Sequence, residues 1–179
     1  CKLPPKSKKE MQVLTLAEMQ RFLIQAKYDG YYELFLLALS TGLRRGELMA
    51  LMWSDLDNES GELRVERQIN RINGKLTISE PKTKASLRTI VLPVSVIASL
   101  LEYKKNTVSR WMFPSPVNDD IPRDPSSVRK ILKRLLSRAG CKNIRFHDLR
   151  HTFITMSLEH GMDVKTLSAI VGHTSSEIT

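Results

Sequence analysis

Cysteine is scarce in this chain: among 179 residues there are two, Cys1 and Cys141. Two are too few for a disulfide scaffold or a cysteine-built zinc site, and they point to a reducing compartment. The four histidines show no metal-ligand spacing, no carboxylates cluster as a Mg²⁺ site would need, and no glycine-rich phosphate loop occurs. No apolar run reaches the length of a transmembrane helix, and the first residues do not form a signal peptide. Internal repeats and low-complexity tracts are also lacking. The chain begins with Cys1 rather than Met, which reads as a domain cut from a longer protein.

What is present is an ordinary apolar content and an excess of positive charge. Hydrophobic residues make up 41%, and the length suits one well-buried domain. Lysine and arginine outnumber aspartate and glutamate by 28 to 19, a formal charge of +9, with a pI near 9.7. Such an excess favours a polyanionic partner, most often nucleic acid, although general solubility explains it equally well.

The apolar spacing sets out a mainly helical order. Residues 1–14, with Lys2, Lys6, Lys8 and Lys9, read as a basic linker from an upstream DNA-binding domain. Thr15 and Glu18 form a capping box ahead of Leu16, Met19, Leu23 and Ala26. The run Tyr31 to Ser40 is apolar nearly all round, as a buried helix would be, and Gly42 closes it. Arg44 follows at the junction with a second short helix expected to run through Leu48, Leu51 and Trp53. It is either a rigidly mounted charge or the partner of Glu47 in a structural salt bridge.

From Gly61 the period becomes two, and Asn73-Gly74 marks a hairpin turn. A second turn, Pro81 to Ser86, leads into Leu87 to Leu92. This predicts a small three-stranded antiparallel sheet whose second turn carries Lys82 and Lys84, residues that on a turn are most often solubilising. Val94, Ile97, Ala98 and Leu101 mark a further helix. A proline-rich connection follows, in which Trp111 and Phe113 are expected to pack on the core. Asp124-Pro125 then starts a helix with an apolar stripe from Val128 to Leu136 and a basic remainder of Arg129, Lys130, Lys133, Arg134 and Arg138. That basic face suits phosphate contact or simple solvation. The next helix holds His147 and Arg150, three residues apart and so about 5–6 Å apart on one face. Asp163 caps a last helix, Val164 to Val171, ended by Gly172-His173. The fold class expected is α+β, mainly α with a small antiparallel sheet.

An imidazole beside a guanidinium suits an oxyanion that also needs a proton moved. Taken with Arg44 and the turn lysines, the pattern fits phosphoryl transfer on DNA, where arginines clamp the non-bridging oxygens. Thr41-Gly42-Leu43-Arg44-x-x-Glu47-Leu48, Pro81-Lys82-Thr83, His147-x-x-Arg150-His151-Thr152 and Gly172-His173, in that order, resemble the catalytic domain of a tyrosine recombinase. The likeness is to integrases of conjugative transposons and phages from Gram-positive bacteria, and it runs from about Thr15 to Thr179.

The resemblance implies roles. Arg44 and Arg150 would clamp the scissile phosphate, and Lys82 would protonate the leaving 5′-oxygen, with Lys84 as its alternative. His147 and His173 would serve proton transfer and phosphate binding, and Glu47 would support the arginine site. Arg45, Lys84, Arg88, Arg145 and His151 are the expected DNA contacts. Integration and excision of a mobile element through a 3′-phosphotyrosyl link would need neither metal nor nucleotide cofactor. The family's nucleophilic tyrosine would fall beyond Thr179, and Tyr28, Tyr31, Tyr32 and Tyr103 fit no such position, so residues 15–179 are expected to be an inactive, truncated catalytic domain. The implied partners are double-stranded DNA, further copies in a tetramer on DNA, and an accessory DNA-bending or directionality factor, with no membrane. The implied location is the bacterial cytoplasm at the nucleoid. Two other readings compete. Ser157, Gly161 and Leu167 have the spacing of a helix-turn-helix regulator, with Met162 to Ser168 opening its recognition helix. A type IB topoisomerase-like enzyme would share the chemistry.

Overall fold

The structure, a computed structural model, describes residues 12–80 and 87–172. Lys82, Lys84 and His173 lie outside the described residues, as do most of the basic linker and the polar end of the chain. Leu14, expected at the end of that linker, is buried, and its N–H donates to Thr152 Oγ1 at 3.1 Å.

Helix α1 (Leu16–Tyr28) opens with the expected capping box: Glu18 N–H donates to Thr15 Oγ1 and Thr15 N–H to the Glu18 carboxylate. Its buried side is centred on Phe22 and Ala26, with Leu16 exposed, because α1 lies against α2 (Tyr32–Thr41) and α5 (Pro125–Arg138). Phe22 meets Phe35 of α2 edge to face at 5.0 Å, and burying each ring contributes about 1.5–3 kcal/mol. Short helix α3 (Arg45–Met49) ends sooner than the spacing of Leu48, Leu51 and Trp53 suggests. Met52 instead bridges to Trp111, and Trp53–Asp55 forms one turn of 3-10 helix. Trp111 and Phe113 are buried, as expected.

The sheet differs from the expected three-stranded one. Four strands, β1 (Glu62–Val65), β2 (Gln68–Ile72), β3 (Lys75–Ser79) and β4 (Arg88–Val91), form two antiparallel pairs, β1 with β4 and β2 with β3. The long first strand divides at Glu66-Arg67. Arg67 occupies a core-side position between Val65 and Ile69, and its guanidinium pairs with buried Asp55. Beyond Ile69 the hairpin has almost no buried face, so only β1 offers an apolar strand on which β4 can pair over the core. In α4 (Val94–Lys104) the buried residues are Val96 and Leu100, while Val94 and Ala98 are exposed. Helix α5 buries the whole expected stripe, Val128, Ile131, Leu132, Leu135 and Leu136. Helices α6 (Phe146–Glu159) and α7 (Val164–Val171) close the fold. None of the described helices is long and apolar enough to cross a membrane.

Candidate active-site cleft

Two glycines let the cleft form. Gly42 sits at φ 61° in the left-handed region and caps α2. A Cβ there would meet Phe153 Cδ1 of α6 at 2.6 Å. Glycine thus satisfies both the backbone turn and the close approach of α6. That approach places the Arg150 guanidinium, 2% exposed, against the backbone: Nη1 donates to Gly42 O at 2.7 Å and Nη2 to Val171 O at 2.6 Å. Gly46 seats α3 on β2, since a Cβ there would lie 2.6 Å from Ile69 O.

Arg44 precedes α3, and both readings of it hold at once. Its Nη1 donates to Glu47 Oε1 at 3.0 Å and its Nη2 to Gly172 O at 3.4 Å, yet the side chain stays 39% exposed toward the cleft. Glu47 is buried. Burial pushes its carboxyl pKa up, but hydrogen bonds and charge from Arg88, with those from Arg44, hold it below the usual carboxylate range.

Arg44, Arg45, Arg129, Arg145, Arg150 and His147 line one cleft of about 410 Å³ over Leu43 and Phe146. Five guanidiniums with no acidic residue in the lining give the cleft a positive face, offset in part by Glu47 behind Arg44 and Asp148 behind Arg145. Burial and the neighbouring Arg129 lower the Arg45 pKa, against the opposing pull of Asp124, and arginine still stays charged. Arg145 is gripped by Asp148, through Nε at 3.0 Å and Nη2 at 2.8 Å, and remains exposed. His147 keeps an exposed edge, with its ring 4.5 Å from that of His151 and perpendicular to it. Partial burial, His151 and Arg150 lower the His147 pKa below the usual histidine range. Burial lowers that of His151 too, with Asp148 opposing. Both shifts favour the neutral ring, the form that can accept a proton.

The structure brings Arg44, Glu47, His147 and Arg150 together, with Arg45 and Arg145 on the rim. His151 stands half-buried behind His147. Arg88, expected at the DNA, instead turns inward onto Glu47 and is 6% exposed. In the sequence Arg129 stands out only as part of a basic helix face. Its helical phase separates it from Arg134 and Arg138: Arg138 lies about 180° around the helix at ~100° per residue, and both pair with Asp29 on the far side. The inward role of Arg88 has a weaker signal, its place two residues before buried Ile90 on the same face of β4.

Known proteins resemble this chain along nearly its whole length. The chain is 35% identical to a XerC-like tyrosine recombinase of Caldanaerobacter subterraneus, over 98% of this chain and 51% of that one. It is 24% identical to the ICEBs1 integrase of Bacillus subtilis, over 98% of this chain and 50% of that protein. Its fold matches the Tn1549 transposon integrase bound to a circular intermediate DNA, with a TM-score of 0.84 at 26% identity, covering 94% of this chain and 60% of that one. The chain thus spans about half the length of the curated relatives it matches. The helix-turn-helix regulator and topoisomerase readings are not favoured by these likenesses. Across residues 12–179 the sequence matches the phage integrase family, and to that family of tyrosine recombinases the chain belongs.

Proposed function

We propose that this chain is the catalytic portion of a site-specific recombinase that cuts and rejoins double-stranded DNA for integration and excision of a mobile element. The observation that carries the reading is the convergence of Arg44 and Arg150, from separate elements, with His147 in one cationic cleft. Arg44 and Arg150 hold the non-bridging oxygens of the scissile phosphate as charge builds on them. A tyrosine hydroxyl attacks phosphorus, its proton passing to a base for which neutral His147 is the candidate. The new bond is a 3′-phosphotyrosyl ester, the P–O5′ bond breaks, and the leaving 5′-oxygen takes a proton from Lys82, with Lys84 as alternative. Attack by a 5′-hydroxyl reverses these steps and restores the tyrosine. His173 belongs to the same proposal as the second histidine on the phosphate. None of the four tyrosines of this chain lines the cleft, so the nucleophile is assigned to another tyrosine of the full-length protein.

The balance requires no metal or nucleotide, because the phosphotyrosyl link conserves the energy of the broken ester. Arg45, Arg129, Arg145 and His151 belong to the duplex-facing surroundings of the cleft. Residues 15–179 act as the catalytic domain, with Leu14 packed into it and the lysine-rich stretch ahead of Leu14 as the basic linker. A tetramer on two DNA segments, an accessory DNA-bending factor and a cytoplasmic, nucleoid-associated setting complete the proposal.

The reading is tested in the full-length protein with a nicked suicide duplex carrying the DNA that flanks its own gene. Arg44→Ala and Arg150→Ala should each abolish the covalent protein–DNA product while duplex binding persists. Continued cleavage by either variant would refute the assignment. Loss of binding with the fold intact would favour a DNA-binding regulator instead.

A further inference from the structure

Three consecutive carbonyls at the C-terminal end of α7 each accept a hydrogen bond from a different arginine. Ile170 O takes Arg88 Nε at 2.6 Å, Val171 O takes Arg150 Nη2 at 2.6 Å, and Gly172 O takes Arg44 Nη2 at 3.4 Å. The last carbonyls of a helix lack intrahelical donors and carry partial negative charge, so cations are favoured there. These arginines come from β4, from α6 and from the residue ahead of α3. Of the three, only Arg88 lies outside the lining of the cleft.

The carboxylate of Glu47 ties the same residues together. Its Oε1 accepts from Arg44 Nη1 at 3.0 Å and Arg88 Nη1 at 3.3 Å, and its Oε2 from Arg44 N at 2.9 Å and Arg88 Nη2 at 3.0 Å. A carboxylate has about four lone-pair sites, and here each is occupied. Arg88 supplies half of the donors in a two-pronged grip, so Arg44 reaches Glu47 with a single side-chain nitrogen. We propose that Arg88 is a positioning residue of the cleft, which joins Glu47 to the end of α7 and prevents Glu47 from drawing the Arg44 guanidinium away from the phosphate site. Without Arg88, both oxygens of a buried carboxylate become open to bidentate pairing with Arg44, the stronger geometry for such a pair. The inference rests on the recombinase reading of the cleft, because it assigns Arg44 to the phosphate.

The test uses the full-length protein and the same nicked duplex, with single-turnover cleavage at saturating DNA, and with Arg44→Ala as the control for the underlying reading. Misplacing a phosphate ligand should slow cleavage by Arg88→Met about a hundredfold, with duplex affinity changed less than about threefold. Arg88→Lys, which cannot span Glu47 and Ile170 O together, should lose about tenfold. Adding Glu47→Gln to Arg88→Met removes the competing charge, so the double variant should cleave no more slowly than Arg88→Met alone. The pH–rate profile adds a readout that general loosening would not move. The charged groups bonded to Glu47 are Arg44 and Arg88, and losing Arg88 raises the carboxyl pKa, so on the acid side, where Glu47 takes up a proton, the deficit of Arg88→Met relative to wild type should shrink. Wild-type cleavage by Arg88→Met or Arg88→Lys, with Arg44→Ala inactive, overturns the inference alone, as do losses that multiply in the double variant. Cleavage by Arg44→Ala overturns the reading beneath it. If Arg88→Met does not fold, Arg88→Lys decides the matter by its rate.

Discussion

At the scale of single residues, the cleft depends on atoms that are not themselves reactive. Gly42 is the plainest case, because its missing side chain lets α6 bring Arg150 onto the turn that leads to Arg44. Gly42→Ala would place a Cβ 2.6 Å from Phe153 Cδ1 at a backbone φ of 61°. The left-handed conformation and the overpacking together should destabilise the domain by about 3 kcal/mol. Urea unfolding measures this directly, and a midpoint unchanged from wild type would show that Phe153 can withdraw freely. Glu47 and Asp148 illustrate the same dependence among polar residues. Each is a buried carboxylate that accepts from the backbone N–H three residues earlier and from an arginine of the cleft. The sequence pattern Arg-x-x-Glu at Arg44 displayed that pairing. Nothing local could show that Arg88, far along the chain, shares the same carboxylate.

At the scale of elements, helix α5 separates its cations by phase. Arg129 faces the cleft, while Arg134 and Arg138 bond Asp29 against the end of α1. A phosphate-contacting cation releases counterions when DNA binds, so Arg129→Ala should flatten the log–log slope of duplex affinity against salt by about 1. Arg138→Ala should leave that slope unchanged and cost about 1 kcal/mol of stability, because the Asp29 side chain, 5% exposed, keeps Arg134 and Gln25 as partners. Fluorescence anisotropy across a salt series compares the two. Equal effects from both variants would dissolve the distinction between the faces. The element pair α6–α7 also gains a definite role. Leu167 and Val171 of α7 pack with Phe153 of α6, and the carbonyls at the end of α7 anchor three arginines. A recognition helix presented to a DNA groove would not need that anchoring.

At the scale of the whole molecule, a formal charge of +9 and a cleft of five arginines make protonation state matter for stability as well as for binding. His147 and His151 have pKa values below the ordinary 6.5, so the unfolded chain binds their protons more readily than the folded one. Stability therefore rises with pH through that window and is lost as pH falls below about 6.5. Glu47 and Asp148 have lowered pKa values, so their contribution is lost only at lower pH, as it falls through their depressed folded values. His151→Gln should flatten the upper part of the unfolding profile just below about pH 6.5, and leave the steeper acidic fall in place. A profile unaltered by that change would mean that the histidines titrate alike in both states.

Much of this was determined by the sequence itself. Capping residues, the apolar stripe of α5, the Asn73-Gly74 turn and the order of the arginine and histidine motifs are local or one-dimensional signals, legible without coordinates. The division of the long strand at Arg67, the rotated faces of α1 and α4 and the inward turn of Arg88 were not, because each depends on which distant surface the element meets. Periodicity reports that a helix has a buried side and a strand has an inner face. Only packing between elements chooses the buried arc, and only the folded chain could decide that three arginines from three elements would share the carbonyls at one helix end.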